Sequence, residues 1–372
     1  MFFANGFVTG SWAPQVPVLL SRFDIAETVV GLLILIFGIG ALVAMPTCGW
    51  LMGRHGSRAV LRGFAALLGL VLPAVALAPN LVLVIPAIFA LGAIVGGMDV
   101  AMNTHAVETE RQLGRAIMSS SHGFWSLGGF AGSATGGLLI QNTGHIMQAL
   151  IVGAIAYVLV AGAWLRLVDG EIRTTSGKRE PFSFPKDPLI YLVGIVSLFC
   201  MIPEGSVLEW GALHLQRSLG AEIGLAGFAF GGFAVTMAIM RFIGDGIRNR
   251  FGAVKTLRVS ALIAGVGVLM AGLAPNPYMA IAAFAFAGIG VANLVPIVFS
   301  AAGNHAGVAS ATAVSVVTTM GYSGMLVAPS AIGFIGEHLG FPVVFAGLSL
   351  FLFVVSAMAR IVKRADFVHS QE

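Results

Sequence analysis

Asp99 and Asn103 stand one helical turn apart in GGMDVAMNTH (96–105), near the end of a long apolar run that begins at Leu81. Glu204 follows Pro203 in PEGSVLEW, and His122 and Trp125 lie one turn apart in SHGFWSLGG. Asn5, Trp12, Gln15, Asn293 and Tyr322 add amide, indole and phenol groups to other apolar runs. A carboxylate in such surroundings can load and release a proton, because burial raises its pKa towards neutrality. Glu204 is the candidate for that role, with His122 as assistant, since imidazole titrates near neutral pH. Amides suit hydroxylated or zwitterionic ligands through mixed donor and acceptor bonds. These groups spell solute binding and proton exchange.

Such groups need elements to hold them. Of the residues, 58% are hydrophobic and only 10% charged, with a mean hydropathy of +0.95. Soluble domains carry about 25% charged residues, so the expected solvent is a lipid bilayer. The basic residues form no patch that would suit a nucleic acid. Cys48 and Cys200 fall in apolar runs and offer neither a disulfide framework nor a CxxC site. No metal-ligand spacing appears, and no cofactor is expected. With about 20 apolar residues per crossing, helices are expected near 1–20, 28–50, 59–78, 81–104, 116–140, 146–166, 188–211, 222–243, 254–273, 278–301, 309–335 and 342–362. The first of these reads as a membrane span rather than a signal peptide, with a short cytoplasmic tail expected ahead of it.

The polar stretch 167–187 divides these twelve into an amino-terminal bundle (1–166) and a carboxyl-terminal bundle with a short tail (188–372). The halves resemble each other. Ala78-Pro79-Asn80 recurs as Ala274-Pro275-Asn276, 196 positions later, and GWLMGRHGSR (49–58) is matched by GDGIRNRFG (244–252). Duplicated six-helix bundles point to a transporter. Eighteen of the 20 basic residues, Arg241 and Arg248 among them, fall on one side, which places both termini and the central segment in the cytoplasm.

On these residues the chain resembles the Major Facilitator Superfamily, which carries a GxxxDRxGRR loop between its second and third helices. Here Gly53 replaces that aspartate, while Gly244-Asp245 with Arg250 keeps an acid in the second copy. VAMNTHAVETERQLGRAIMSSSHGFWSLGG (100–129) and PEGSVLEW (203–210) are similar to the branch that contains the YbjJ and MosC membrane proteins. The resemblance implies that spans one, four, seven and ten line a central cavity. It also implies that the arginine loops act as a cytoplasmic gate, here Arg54, Arg58, Asp99, Arg115, Asp245 and Arg250. Asp99, taken as close to the cytoplasmic end of its span, is read as that gate's displaced acid, with proton carriage as the rival role.

The expectation is a monomeric, multi-pass transporter of the bacterial inner membrane, working by alternating access, with a small polar solute (sugar, polyol or related metabolite) and a proton or other ion as partners. No arginine or lysine is expected deep in a span, which disfavours a strongly anionic cargo. Export of toxic or hydrophobic compounds is the alternative, weakened because Ser133 replaces the proline of the drug antiporters' GxxxGPxxGG pattern. A non-transporting sensor is the third reading. Gly321-Tyr322-Ser323-Gly324 mimics the GxSG of rhomboid proteases, but His338 and His369 are poorly placed to serve as its base. The chain is therefore not expected to be an enzyme.

Overall fold

The computed structural model describes every residue except 26, 169–184, 227 and 367–372. Among the described residues it is entirely helical: α1 (Phe2–Trp12), α2 (Gln15–Phe23), α3 (Glu27–Leu77), α4 (Leu81–Leu113), α5 (Met118–Thr143), α6 (His145–Trp164), α7 (Pro188–Leu219), α8 (Ile223–Ala226), α9 (Phe228–Phe251), α10 (Ala253–Gly272), α11 (Pro277–Val291), α12 (Leu294–Gly303), α13 (Ser310–Leu339) and α14 (Phe341–Ala357), then a 3-10 turn Ala359–Ala365. Among the described residues, eight helical stretches are long and apolar enough to cross a membrane, or nine when α14 and its turn, bent by 54°, are taken as one span. Large apolar side chains such as Val82, Phe130, Val158 and Tyr278 point outwards, as a lipid-facing surface requires.

Local chemistry explains where the expected spans are cut. Span one is divided at Ala13-Pro14, because Pro14 has no N–H to continue the helix and becomes the N-cap of α2. Span ten breaks at Ala292-Asn293. Spans two and three form one helical path whose direction changes at Gly56 (φ 78°, ψ 158°), a conformation that glycine tolerates. α7 and α4 outrun their expected ends. Asp187 caps α7 through Leu189 N–H at 2.9 Å with Pro188 at its first position, and the helix continues through Pro203 to Leu219. Pro203 and Gly205 therefore do not break it.

The duplicated pattern persists at the level of atoms, at the same spacing of 196. Asn80 Oδ1 caps α4 by accepting from Leu83 N–H (3.1 Å), and Asn276 Oδ1 caps α11 by accepting from Met279 N–H (3.0 Å). Gly252 has the dihedrals of Gly56 (φ 81°, ψ 158°). A methyl group on Gly92 would collide with the Phe37 carbonyl, and one on Gly288 with the Phe233 carbonyl. Gly69 lies under the Tyr157 ring and Gly265 under the Phe353 ring, at 2.6 and 2.7 Å from a would-be Cβ. At one place the roles are exchanged. Cys48 on α3 points its Sγ to the Gly97 carbonyl (3.1 Å), whereas Gly244 on α9 makes room for Asn293.

This register corrects one expectation. Asp245 corresponds to Gly49, and Asn249 corresponds to Gly53. The acid of the second copy is thus not the counterpart of the aspartate missing at Gly53; it stands one helical turn earlier.

Two compact units result. The first comprises Met1–Thr109, the chain from Ser121 to the polar linker, and Ala309–Ser315; the second comprises Glu110–Ser120, Pro185–Val308 and the chain from Val316 onwards. The first is filled mainly by aliphatic residues (Met45, Leu61, Leu68, Leu72, Ile88, Leu91), the second by a phenylalanine cluster (Phe233, Phe284, Phe299, Phe345). Of the linker expected at 167–187, residues 169–184, with Arg173, Lys178 and Arg179, lie outside the described residues, as does His369.

Candidate functional site

In the first unit, two amides on different helices are built into the same device. Asn5 on α1 donates from Nδ2 to the Val95 carbonyl of α4 (3.1 Å), and its Oδ1 accepts from Trp125 Nε1 of α5 (2.9 Å). Asn103 donates from Nδ2 to the Asp99 carbonyl (2.8 Å), and its Oδ1 faces His122 Nε2 of α5 at 3.0 Å. Each amide is oriented by a carbonyl of α4, so each presents its oxygen to a ring N–H of α5. That orientation assigns the proton of His122 to Nε2. Asn5 and Asn103 have no exposed surface, whereas the rings they hydrogen-bond, Trp125 and His122, are half-buried.

Trp12 is buried in a stack with Phe37 (ring centroids 6.5 Å apart). Gln15 belongs to a separate cluster. Its Nε2 donates to Gln148 Oε1 (2.5 Å) and the His145 carbonyl (2.8 Å), while Gln148 donates to the Ser11 carbonyl (3.1 Å). Gln15 therefore links α2 to α6. Asp99 is buried, eighteen residues from the start of α4 and fourteen from its end. It sits near mid-helix rather than close to the cytoplasmic end, because the helix runs nine residues past the expected boundary.

The second unit holds the largest surprise. Glu204 on α7 is not a lone carboxylate: its Oε1 accepts from Arg241 Nη2 of α9 at 2.9 Å. Arg241 is buried, ten residues from the end of α9. The expectation that no cation lies deep in a span is overturned, and with it the argument against an anionic cargo. Arg241 lies in the last turn of the expected span 222–243, and because α9 runs eight residues past that end it sits well inside the helix. Asn293 is buried at the α11–α12 break against Gly244, its Oδ1 without a hydrogen-bond partner. Tyr322 is half-buried on α13. Ser323 donates to the Met320 carbonyl of its own helix (2.7 Å).

At the start of α5, also within the second unit, two carboxylates take four successive backbone N–H groups. Glu110 Oε1 accepts from Ile117 (2.9 Å) and Met118 (3.0 Å); Asp245 accepts from Ser119 (2.9 Å) and Ser120 (2.8 Å). Asn249 Oδ1 takes the N–H before them, that of Ala116 (2.9 Å). The first N–H groups of a helix have no internal partner and carry its positive end, so these acids satisfy both needs. Glu110 also pairs with Arg248 (3.0 Å, both side chains sealed) and accepts from Ser300 Oγ. Arg248 in turn reaches Ser300 Oγ (2.7 Å) and the Ala365 carbonyl. Sequence reasoning missed Glu110 and Arg248, having placed both in loops. The paired acids in VETER (107–111) were the available signal.

The expected gate residues divide accordingly. Asp245 is in this network. Arg54 lies over Trp50 (4.0 Å) and Arg250 over Phe251 (5.4 Å), each on its own helix. Arg115 is exposed and Arg58 half-buried. The arginine of this network is Arg248, which pairs with Glu110.

The chain matches the family model of the Major Facilitator Superfamily over residues 1–205 and 205–370. It is 35% identical over 364 residues to an uncharacterized MFS-type transporter of Yersinia pestis, covering 98% of this chain and 94% of that one. The membrane protein MosC of Rhizobium meliloti is 32% identical over 347 residues, covering 91% and 83%. Among solved structures, a variant of the Escherichia coli fucose:proton symporter FucP superposes with a TM-score of 0.77 at 19% identity, over 97% of this chain and 96% of that one.

Proposed function

The chain belongs to the Major Facilitator Superfamily, and we propose that it is a secondary active transporter of a small polar solute, driven by protons through Glu204. The observation that carries this reading is the Glu204–Arg241 pair, an ionisable couple inside α7 and α9 of a chain that is nearly free of charge in its apolar segments. An ionised side chain within a span costs at least about 2.5 kcal/mol on insertion scales and marks ion and proton pathways. Glu204 keeps a quarter of its side chain exposed while Arg241 is sealed, so the carboxylate is the partner that water can reach. Protonating Glu204 dissolves the pair, and a conformational change tied to that event couples proton and solute.

In this reading His122 and Trp125, held by the two amides, contribute polar and aromatic surface to the solute, since flat aromatic faces pack on sugar rings. Residues 1–166 and 188–372 act as the two bundles of an alternating-access cycle, as a monomer in the bacterial inner membrane with cytoplasmic termini. Glu110, Asp245 and Arg248 form a cytoplasmic latch that the cycle must open. FucP, a fucose:proton symporter, makes sugars and polyols the first solutes to try.

The test is flux in proteoliposomes carrying the purified protein, with labelled sugars and polyols and an inward proton gradient. Glu204→Gln is expected to lose gradient-driven accumulation and to retain solute exchange. Unchanged accumulation in that variant removes Glu204 from the coupling role, and absence of flux for every sugar and polyol removes this substrate class.

A further inference from the structure

We propose that the carboxyl-terminal rim of the second unit binds an anionic phospholipid, its headgroup held by Arg258 and Arg360 and its acyl chains lying along α10 and α14. The proposal rests on the membrane placement of the transport reading, not on Glu204 or the solute. The 3-10 turn Ala359–Ala365, bent by 54° from α14, packs on the start of α10. Three contacts pin it there. Ser356 Oγ donates to the Arg258 carbonyl (3.0 Å), Asp366 Oδ1 accepts from Ala253 N–H, and the Ala365 carbonyl accepts from Arg248. A 3-10 helix has three residues per turn, so Ala359, Val362 and Ala365 form one face, which is fully buried. Arg360 and Lys363 share another face and are exposed, as are Lys255 and Arg258 on α10.

The repeat shows that these cations are not needed to hold the fold. At the spacing of 196, Arg258 stands where Arg62 does, and Arg360 where Trp164 does. Arg62 is spent inside its own half: its Nη2 donates to the Trp164 carbonyl (2.6 Å), and its guanidinium lies over the Trp164 ring (5.2 Å). In the second half a cation replaces that ring, so Arg258 has a like charge for a neighbour. Among the described residues no acid pairs with Lys255, Arg258, Arg360 or Lys363. Asp366 is taken up by Ala253 N–H, and Asp187 by His305. An anion between the two guanidinium groups relieves their repulsion. What adjoins them gives the rest of its chemistry. α10 turns Val259, Leu262 and Val266 outwards, and α14 turns Leu350 and Val354 outwards, so the cations cap two lipid-facing apolar stripes. A soluble anion would use only the head of such a site. An anionic lipid uses both parts, with the basic side chains reaching the headgroup level.

The test is thermal stabilisation of the purified full-length chain in detergent micelles carrying dioleoylphosphatidylglycerol, against dioleoylphosphatidylcholine at equal lipid. Phosphatidylglycerol is expected to raise the melting temperature further, by an excess that added salt reduces. Arg258→Gln with Arg360→Gln, both at exposed positions, should weaken phosphatidylglycerol binding about tenfold. Arg54→Gln with Arg166→Gln removes two exposed cations from the first unit and should leave that binding unchanged. Equal stabilisation by the two lipids, an undiminished excess in the first double variant, or equal loss in both double variants would each overturn the proposal. So would glycerol 3-phosphate reproducing the whole effect, since the site would then take a free anion. All of these outcomes leave the transport reading intact, because none concerns Glu204 or solute flux.

Discussion

The starts of α5 and α13 occupy related places in the repeat but are held in different ways. At α5, two carboxylates and an asparagine side chain take five consecutive N–H groups, those of Ala116 to Ser120. At α13 the holding is steric. A Cβ on Gly49 would lie 2.6 Å from Ser315 Cβ, and Ser315 Oγ donates to the Met45 carbonyl of α3 (2.7 Å). Gly53, where the family pattern has an aspartate, is exposed, with nothing within 4 Å of a would-be Cβ. The register between the halves explains this contrast. Gly49 and Gly53 match Asp245 and Asn249, so each capping side chain of α9 is a glycine in the other half. Duplication preserved the backbone path while the electrostatics went to one copy alone. A latch made of charge can be opened by competition or protonation, whereas close packing opens only by moving apart.

The largest test of this contrast removes one member of the sealed pair. Glu110→Ala or Arg248→Ala should cost about 3–5 kcal/mol by leaving a buried charge alone, read as a loss of thermal stability, and the double substitution should cost less than the sum. A single-substitution cost below about 1 kcal/mol would mean that the charge does not hold α5. Asp245→Asn should cost about 1–2 kcal/mol, since the amide accepts more weakly and the charge at the helix start is lost; the same assay reads it, and a salt-insensitive loss would contradict the helix-charge part.

Gly53→Asp probes the other side of the contrast. Supplying the missing acid should stabilise the protein by about 0.3–1 kcal/mol at low salt, and no gain would show that α13 does not present its positive end there. The smallest effect is expected at Asp187, which caps α7. The His305 hydrogen bond (2.7 Å), then that from Leu189 N–H, hold its carboxyl below the ordinary range. A depressed pKa gives stability that is present above the unfolded value near 3.9 and is lost as pH falls through the folded one. Asp187→Asn should lower the neutral plateau slightly and flatten the acid limb of a stability-against-pH curve, so that variant and wild type converge at low pH.

Much of this was legible before any coordinates. Asn80 and Asn276, with their spacing, announced both the caps and the repeat, because a cap is a local device written in adjacent residues. The pairing of Asn5 with Trp125 and Asn103 with His122 was not legible, since it depends on which carbonyl of α4 orients each amide. Arg241, Glu110 and Arg248 were misplaced for a single reason. A ruler of 20 apolar residues ends a helix at the first polar cluster, whereas α4 and α9 carry those clusters onward as buried helical turns. Glu204 was found as an ionisable group in a span, but its partner fell in the last turn of the expected span 222–243 and was counted with the loop cations.

The most direct measurement of the central claim, that charge secures one helix start and packing the other, is hydrogen exchange at backbone amides of the membrane-reconstituted protein. The account predicts that Ile117–Ser120 exchange far more slowly than Ser310–Thr312, and that Asp245→Asn speeds Ser119 and Ser120 selectively. Equal rates at the two starts, or an Asp245→Asn profile identical to wild type, would contradict it.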